Sequence, residues 1–321
     1  MPEGDTLARI AAGLRPFLAG RTVIAARARV PGPQVGLVVG ATITEVLSMG
    51  KNLLIRLDNG LELRTHLRMN GTWHRYRPGE RWRRAASRAV LVIEVPGAVA
   101  VCFDAPVVEL LETRAEALHA PLAGLGPDLL NPAVDVAEAR RRLRAPERAV
   151  LEVGPALLDQ RALAGIGNVV KSETLFIERV DPFVHVRDLD DDTLDRLVAT
   201  ARRILVESAR RTRRPERVTT IDPVTHRRLA PGALWVYGRA GRPCHRCRSL
   251  VRVVQQGLDL PRSTYWCPSC QPHRDPSHPP PDNASDRRNY TVPPAAPIAR
   301  AAPAAPAPPS RRRRAHPESP L

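Results

Sequence analysis

The spacing of hydrophobic residues changes along the chain, and each change predicts a different kind of structure. Residues 5–18 carry apolar side chains at helical spacing, which predicts a helix capped by Asp5 or Thr6. From residue 22 to about 111 the period is two, which predicts strands. The predicted strands are TVIAARARV, GLVVGATITEVL, KNLLIRL, LELRTHLRM, AVLVIEV and AVAVCF. Short strands at such close spacing favour an antiparallel sandwich or barrel.

A helical pattern returns after Pro127. The predicted helical segments are DVAEARRRLR, RAVLEVGPALLD, NVVKSETLFIERV and LDDDTLDRLVATARRILVESARR. A short β-type segment with four cysteines follows between residues 235 and 271. From residue 272 the chain is rich in Pro, Ala, Ser and Arg, so we expect a disordered basic tail, either a source of phosphate affinity or inert.

The chain is strongly basic, which limits its partners. Its 321 residues carry a formal net charge of +16, a signal for a polyanion, with nucleic acid favoured over an anionic membrane. Only two of the 49 basic residues are lysines, Lys51 and Lys171. Unlike arginine, lysine releases its proton readily when buried, so each lysine is of interest.

The sequence predicts no membrane segment and no signal peptide. The most apolar region, AVLVIEVPGAVAVCF, is interrupted by Glu94, Pro96 and Gly97 and is too short to span a bilayer. The first residues lack a basic segment followed by an apolar one. We therefore expect a cytoplasmic protein, nucleoid-associated and of bacterial type, with no membrane partner.

Two Cys-x-x-Cys pairs, CHRC and CPSC, are separated by nineteen residues. This spacing predicts one tetrahedral zinc ion, structural because protein ligands fill all four positions. The predicted ligands are Cys244, Cys247, Cys267 and Cys270. An iron–sulfur cluster is the less favoured alternative. Cys102 lies alone in an apolar strand and is expected to be a buried hydrophobe.

The chain opens with MPEGDT, and its second and third residues suggest chemistry. Removal of the initiator methionine, usual before a small residue, would make Pro2 a terminal secondary amine. An α-amino group has a pKa of about 7.7–8.0, so a neutral fraction is available to form an imine with a sugar aldehyde. Glu3 would then be placed to move protons on the sugar. A cap before the first helix is the alternative interpretation of these two residues.

Five segments in order resemble the formamidopyrimidine-DNA glycosylase/endonuclease VIII family. They are MPEGDT, MGKNLLI, THLRMNG, LAGIGNVVKSETLF and RSTYWCPSCQ, and the resemblance extends over about residues 1–271. The resemblance implies an α+β multidomain fold and a bifunctional DNA glycosylase and abasic-site lyase. The implied domains are a helix on an antiparallel β-sandwich at 1–125, a helix-two-turn-helix domain at 126–232 and a zinc ribbon at 233–271, before the tail at 272–321.

The resemblance also implies roles for individual residues. Pro2 would attack C1′ of the damaged nucleotide, with Glu3 as general acid and base on the deoxyribose. Lys51 would contact the substrate phosphate and assist catalysis. Asn168 would hold a phosphate, which also suits its place at a helix N-terminus. Arg262 would grip phosphates from the zinc hairpin and support β/δ-elimination.

The expected partner is damaged DNA, most simply a duplex, bound by a monomer in a cleft between the domains. Because the target base must be flipped out, an apolar wedge is needed, and Met69 is the best candidate. A core or loop position is its alternative. His66 is expected either to reach a phosphate or to face solvent.

Departures from the family pattern bear on the substrate. Thr6 stands where formamidopyrimidine glycosylases carry an acid, and the region after Phe103 lacks their wedge loop. We therefore expect oxidised pyrimidines or abasic sites rather than 8-oxoguanine, which stays an alternative. The sequence also leaves open a noncatalytic zinc-ribbon DNA-binding protein and an RNA-binding protein. Lys171 is expected to be a surface lysine, with a phosphate contact as the alternative.

Overall fold

The chain's structure, a computed structural model, describes residues 2–29, 33–210, 229, 233–257 and 261–273. Helix α1 spans Gly4–Leu18, and its apolar face is buried as predicted. The predicted cap is wrong, because Glu3 is the N-cap residue and both Asp5 and Thr6 lie inside the first turn. There Asp5 pairs with Arg9 one turn later at 3.4 Å.

Two four-stranded antiparallel sheets follow α1. The strands are β1 (Ala25–Ala28), β2 (Ile43–Met49), β3 (Asn52–Leu57), β4 (Leu61–His66), β5 (Thr72–Tyr76), β6 (Ala89–Val95), β7 (Ala98–Phe103) and β8 (Val107–Glu112). Their order is β1-β6-β7-β5 in one sheet and β2-β3-β4-β8 in the other. Alternate residues of both sheets and the apolar face of α1 form one aliphatic core, as expected from a chain with few aromatic residues.

The predicted strand GLVVGATITEVL is shorter than expected. Its first three residues belong to a 3₁₀ turn at Val35–Val38, and Gly40, with a φ of +87°, lies between this turn and β2. The segment after Phe103, in which no strand was predicted, forms β8 and pairs with β4. Only three residues, 104–106, connect β7 to β8.

The second half of the chain is helical. Its helices are α2 (Ala120–Ala123), α3 (Val136–Leu143), α4 (Pro146–Ala149), α5 (Val153–Ala156), α6 (Asn168–Ile177) and α7 (Asp191–Arg210). The predicted single helix RAVLEVGPALLD is divided into α4 and α5. It breaks because the Val153 and Gly154 N–H groups donate to Val184 and Pro182 outside the segment.

Helix α6 is the centre of this half, because all ten of its residues are buried. A two-stranded ribbon of β9 (Arg252–Gln256) and β10 (Arg262–Trp266) packs beside it. Cys102 is fully buried. Among the described residues, no helix is long and apolar enough to cross a membrane. The tail prediction lies outside the described residues from 274 onward. The predicted fold class is confirmed.

Candidate active site

Glu3 is fully buried, and it is held by the start of helix α6. Its Oε1 accepts the Val169 N–H at 2.9 Å and its Oε2 accepts the Val170 N–H at 3.2 Å. These are donors that a helix leaves free at its N-terminus, where the helix dipole also favours a negative charge. The anion bound at this helix end is therefore the protein's own carboxylate. Glu3 cannot rotate away without losing both bonds.

Glycines let the first residues approach this helix closely. The Gly4 N–H donates to the Gly165 carbonyl at 2.9 Å. A Cβ at Gly4 would lie 2.9 Å from the Gly165 Cα, and a Cβ at Gly167 would collide with the Glu3 side chain. Pro2, half-buried, lies next to Glu3 at the edge of this contact. The LAGIGN segment is thus shaped to receive the start of the chain.

Lys51 lies with Gly50 in the tight turn between β2 and β3. Gly50 has a φ of +56°, and its N–H donates to Asp128 Oδ2 at 2.8 Å, while Asp128 Oδ1 accepts the Leu130 N–H at 2.9 Å. Asp128 thereby ties the turn to the helical half, and burial raises the pKa of its carboxyl. The sequence pattern did not identify Asp128, because its partner lies 78 residues away.

The charges near Lys51 come from three parts of the chain. Burial lowers the pKa of Lys51 to about 8, with Glu3 opposing the shift and Arg262 adding to it. Arg262 is the first residue of β10 and is partly exposed. Three of the predicted site residues therefore share one electrostatic environment. With a pKa of about 8, a substantial fraction of the Lys51 side chains is uncharged at neutral to mildly alkaline pH.

Asn168 is the first residue of α6 and is 8% exposed. Its Oδ1 is buried and has no hydrogen-bond partner among the described residues. A buried amide oxygen without a partner is costly unless a ligand or water satisfies the group. Asn168 is therefore a candidate ligand-binding residue on structural grounds.

His66 and Met69 lie at the end of β4 and in the turn after it. Burial, then Arg64, Arg68 and Lys51, lower the pKa of His66 to about 4, so its ring is neutral at pH 7. Its Nδ1 accepts the Arg68 N–H at 3.2 Å. Met69 is 58% exposed, which is unusual for methionine and excludes the core alternative.

The prediction that Lys171 lies on the surface is wrong. The residue is 1% exposed, and its Nζ donates to Thr264 Oγ1 at 2.8 Å and to the Ser263 carbonyl at 3.2 Å. Burial lowers its pKa to about 7, with Glu3 opposing and Arg262 adding to the shift. The second lysine thus belongs to the same group of charges as the first.

The four predicted metal ligands lie together. Their sulfur atoms are all within 4.8 Å of one another, including 3.4 Å between Cys247 and Cys267 and 4.0 Å between Cys244 and Cys270. Tetrahedral zinc–sulfur bonds of about 2.3 Å place sulfurs at about this separation. The four cysteines could therefore hold one metal ion. The ring of His245 packs edge-on against Trp235, 6.1 Å away.

Comparison with known proteins agrees with this geometry. The Formamidopyrimidine-DNA glycosylase N-terminal domain matches residues 1–105, and the Formamidopyrimidine-DNA glycosylase H2TH domain matches residues 125–218. A probable endonuclease 8 2 of Streptomyces coelicolor is 42% identical over 274 residues, covering 84% of this chain and 94% of the relative. The DNA-(apurinic or apyrimidinic site) lyase Nei2 of Mycolicibacterium smegmatis is 39% identical, covering 84% of this chain and 99% of the relative.

Solved structures show the same fold at lower identity. The Lactococcus lactis Fpg (MutM), solved in complex with DNA containing N7-benzyl-Fapy-dG, has a TM-score of 0.69 and 22% identity. That similarity covers 85% of this chain and 100% of the neighbour.

Together these findings define an enzyme of base excision repair, a DNA glycosylase and abasic-site lyase. The chain belongs to the formamidopyrimidine-DNA glycosylase/endonuclease VIII family, and the resemblance stated from its motifs is confirmed.

Proposed function

We propose that this enzyme removes oxidised pyrimidines from duplex DNA through a Schiff base on Pro2 and then cuts the strand by β/δ-elimination. The contact between Glu3 and the start of helix α6 carries the proposal. A buried carboxylate fixed by two N–H groups, one residue from the terminal amine, suits proton transfer to O4′, the ring oxygen bonded to the carbon that the amine attacks.

The reaction begins when removal of Met1 leaves Pro2 with a secondary amine. The nitrogen lone pair attacks C1′, and the C1′–base bond breaks, with its electron pair leaving on the base, which takes a proton from water. The amine then passes its proton to the Glu3 carboxylate. The C1′–O4′ bond opens, O4′ takes a proton from Glu3, and a C1′ iminium forms.

Strand cleavage follows from the same intermediate, because the iminium acidifies the neighbouring carbon. Loss of the C2′ proton expels the 3′ phosphate by breaking the C3′–O bond. Loss of the C4′ proton then expels the 5′ phosphate by breaking the C5′–O bond. Water hydrolyses the imine and returns the amine of Pro2. Glu3 is the group placed to accept and return these protons.

The cationic and polar residues hold phosphates around this centre. Lys51 and Arg262 supply positive charge beside Glu3, and the side-chain Nδ2–H of Asn168 donates to a phosphate oxygen. His66 is neutral at pH 7, so its Nε2–H donates to a phosphate rather than pairing by charge. Met69 enters the space that the flipped nucleotide leaves.

The domain assignment is part of the proposal. The helix-two-turn-helix domain at 126–232 carries Asn168, and the ribbon at 233–271 carries Arg262. The sandwich at 1–125 carries the other site residues, which are Pro2, Glu3, Lys51, His66 and Met69. A zinc ion held by Cys244, Cys247, Cys267 and Cys270 would supply structural rigidity to this ribbon, and the enzyme acts as a monomer.

The short connection after β7 supports the choice of pyrimidines. Only residues 104–106 lie between β7 and β8, so this region supplies no long wedge loop opposite the lesion. Two relatives at 39–42% identity are an endonuclease 8 and a Nei2 lyase. Both observations favour the endonuclease VIII branch over 8-oxoguanine paired with cytosine.

Borohydride trapping tests the proposal. The Met1-processed enzyme should form a covalent adduct with abasic duplex DNA, and peptide mass spectrometry should place the DNA on Pro2. An N-terminal tag that cannot be removed should abolish the adduct and leave DNA binding intact, since it converts the amine to an amide. A processed enzyme that binds DNA without any adduct would instead be the noncatalytic binding protein.

The lesion class needs a separate panel. Duplexes with a defined oxidised pyrimidine, 8-oxoguanine or an abasic site should be cleaved in the order abasic, pyrimidine, 8-oxoguanine. Faster cleavage at 8-oxoguanine would contradict the pyrimidine assignment while leaving the chemistry at Pro2 in place. If RNA fails to compete with the damaged duplex for binding, RNA is excluded as the preferred partner.

A further inference from the structure

Lys171 is a fully buried lysine for which the proposed chemistry has no use. Its side chain is 1% exposed, so it does not reach DNA. Burial of an amine is costly, and the pattern of the surrounding helix does not require one. Its position therefore calls for a function within the protein.

The amine joins the helix that begins with Asn168 to the strand that begins with Arg262. From α6 its Nζ donates to Thr264 Oγ1 at 2.8 Å and to the Ser263 carbonyl at 3.2 Å. These acceptors are the two residues directly after Arg262 in β10. The two elements lie more than 90 residues apart in the chain.

The same contact continues through the ribbon. Thr264 Oγ1 donates to Gln256 Oε1 at 2.7 Å, and Gln256 Nε2 donates to the Pro182 carbonyl and to Glu152 Oε2, each at 2.8 Å. The bonds run from Lys171 across both strands of the ribbon and back to the helical half. If Lys171 were displaced, the buried Thr264 hydroxyl would lose the hydrogen bond that it accepts from the amine.

The charged groups around Lys171 are those of the candidate active site. Glu3 and Arg262 both act on its charge, and both also act on Lys51. The buried amine therefore shares the electrostatic environment of the residues proposed to hold the sugar and its phosphates. Loss of the amine would change both the position of Arg262 and the field at Glu3.

We propose, on the basis of the proposed function, that Lys171 is a positioning residue that sets the distance between the phosphate-binding residues Asn168 and Arg262. It acts through Ser263 and Thr264 and makes no contact with DNA. A misplacement of about 1 Å at such a site lowers reaction rates by about 100-fold.

The test compares Lys171→Met with Arg203→Met, an equal loss of charge at an exposed residue of α7. The probe is single-turnover borohydride trapping on abasic duplex, with affinity for undamaged duplex measured in parallel. Lys171→Met should trap about 10- to 100-fold more slowly at saturating DNA. Its affinity for undamaged duplex should stay within about twofold of that of Arg203→Met, because neither lost charge is proposed to contact a phosphate.

A double-mutant cycle separates positioning from general stability. Thr264→Val keeps the volume and removes the acceptor, so it should slow trapping as well, and Lys171→Met/Thr264→Val should be no slower than Lys171→Met alone. Additive losses would overturn the proposal. Trapping by Lys171→Met within twofold of the wild type would also overturn it, as would equal losses of affinity for damaged and undamaged duplex.

Two further outcomes of this experiment concern a variant that does not fold and a wild type that forms no adduct. If Lys171→Met fails to fold or to retain its metal, Thr264→Val decides, and trapping by that variant at the wild-type rate overturns the proposal. If the wild-type enzyme itself forms no adduct, the proposed function fails first. Only an active wild type with an equally active Lys171→Met contradicts the positioning role itself.

Discussion

Glu3 and Gly167 are in such close contact that a Cβ at position 167 would lie under 3.0 Å from three atoms of the Glu3 side chain. Position 167 requires glycine because there is no room for a side chain. Its backbone is extended, so backbone conformation does not impose the requirement. The carboxylate proposed to be catalytic thus packs directly against the loop before helix α6.

Gly167→Ala should therefore displace Glu3 from the Val169 and Val170 N–H groups. We expect trapping on abasic duplex to fall by about 100-fold. Gly13→Ala is the matched control, because an added Cβ in this exposed part of α1 meets nothing within 4 Å. It should raise the free energy of unfolding by about 0.5–1 kcal/mol and leave trapping unchanged. Equal trapping by both variants would mean that the Glu3 contact is dispensable.

The lowered pKa of Lys51 predicts a pH dependence. The Pro2 amine must be neutral, so kcat/KM on abasic DNA should first rise as this amine loses its proton at a pKa of about 7.7–8.0. Because the pKa of Lys51 is about 8 in the free enzyme, Lys51 loses its charge over the same range, and kcat/KM should fall above pH 8. Lys51→Arg keeps its charge throughout, so the fall should be absent up to pH 10 in that variant, whatever its absolute rate. His66→Gln should retain the fall. Neither this variant nor the wild type should show an inflection near pH 6.5, because the pKa of His66 is about 4. If kcat/KM of Lys51→Arg falls at alkaline pH as in the wild type, a group other than Lys51 causes the fall.

The cysteine cluster predicts one zinc ion per chain. Cys267→Ser should lose the metal, because one of four thiolates is removed from a closed site. Trapping should fall with it, since Arg262 lies on the ribbon that the metal stabilises. Cys102→Ala is the control, a fully buried cysteine outside the cluster, and it should keep one zinc. Atomic absorption and trapping on the same samples measure both quantities.

The exposure of Met69 predicts a role that depends on the duplex. Met69→Ala should change the free energy of unfolding by less than about 0.5 kcal/mol. On abasic duplex, kcat/KM should fall by about tenfold or more, because a wedge supports the unstacked helix. On abasic single strands, where no stack needs opening, the rate should match the wild type. An equal loss on both substrates would make Met69 an ordinary contact.

The sequence was sufficient for the features that depend on local pattern. The period-two segments predicted the sheets, and the paired cysteines predicted a cluster that the fold brings together. It failed at Lys171 for a physical reason. Helix α6 contains Lys, Ser, Glu and Thr in succession, which predicts an exposed stretch of helix, yet the ribbon and neighbouring helices cover every side.

Three polar residues of that helix, Lys171, Ser172 and Glu173, have hydrogen-bond partners distant in sequence. Glu173 accepts the N–H groups of Trp235, Val236 and Tyr237, about 60 residues away. Asp128 similarly holds Gly50 across 78 residues. Such pairs have no local signal, so residue types alone could not place Lys171 or Asp128 at the site.

The scarcity of lysine has a consequence for chemical labelling. Acylating reagents attack neutral primary amines, and this chain offers only two lysines, one of them fully buried. The other, Lys51, is partly exposed and has a pKa of about 8, so it is unusually nucleophilic at mild pH. An amine-directed fluorophore or cross-linker would therefore be concentrated at Lys51 and the α-amino terminus, and would report on this one region.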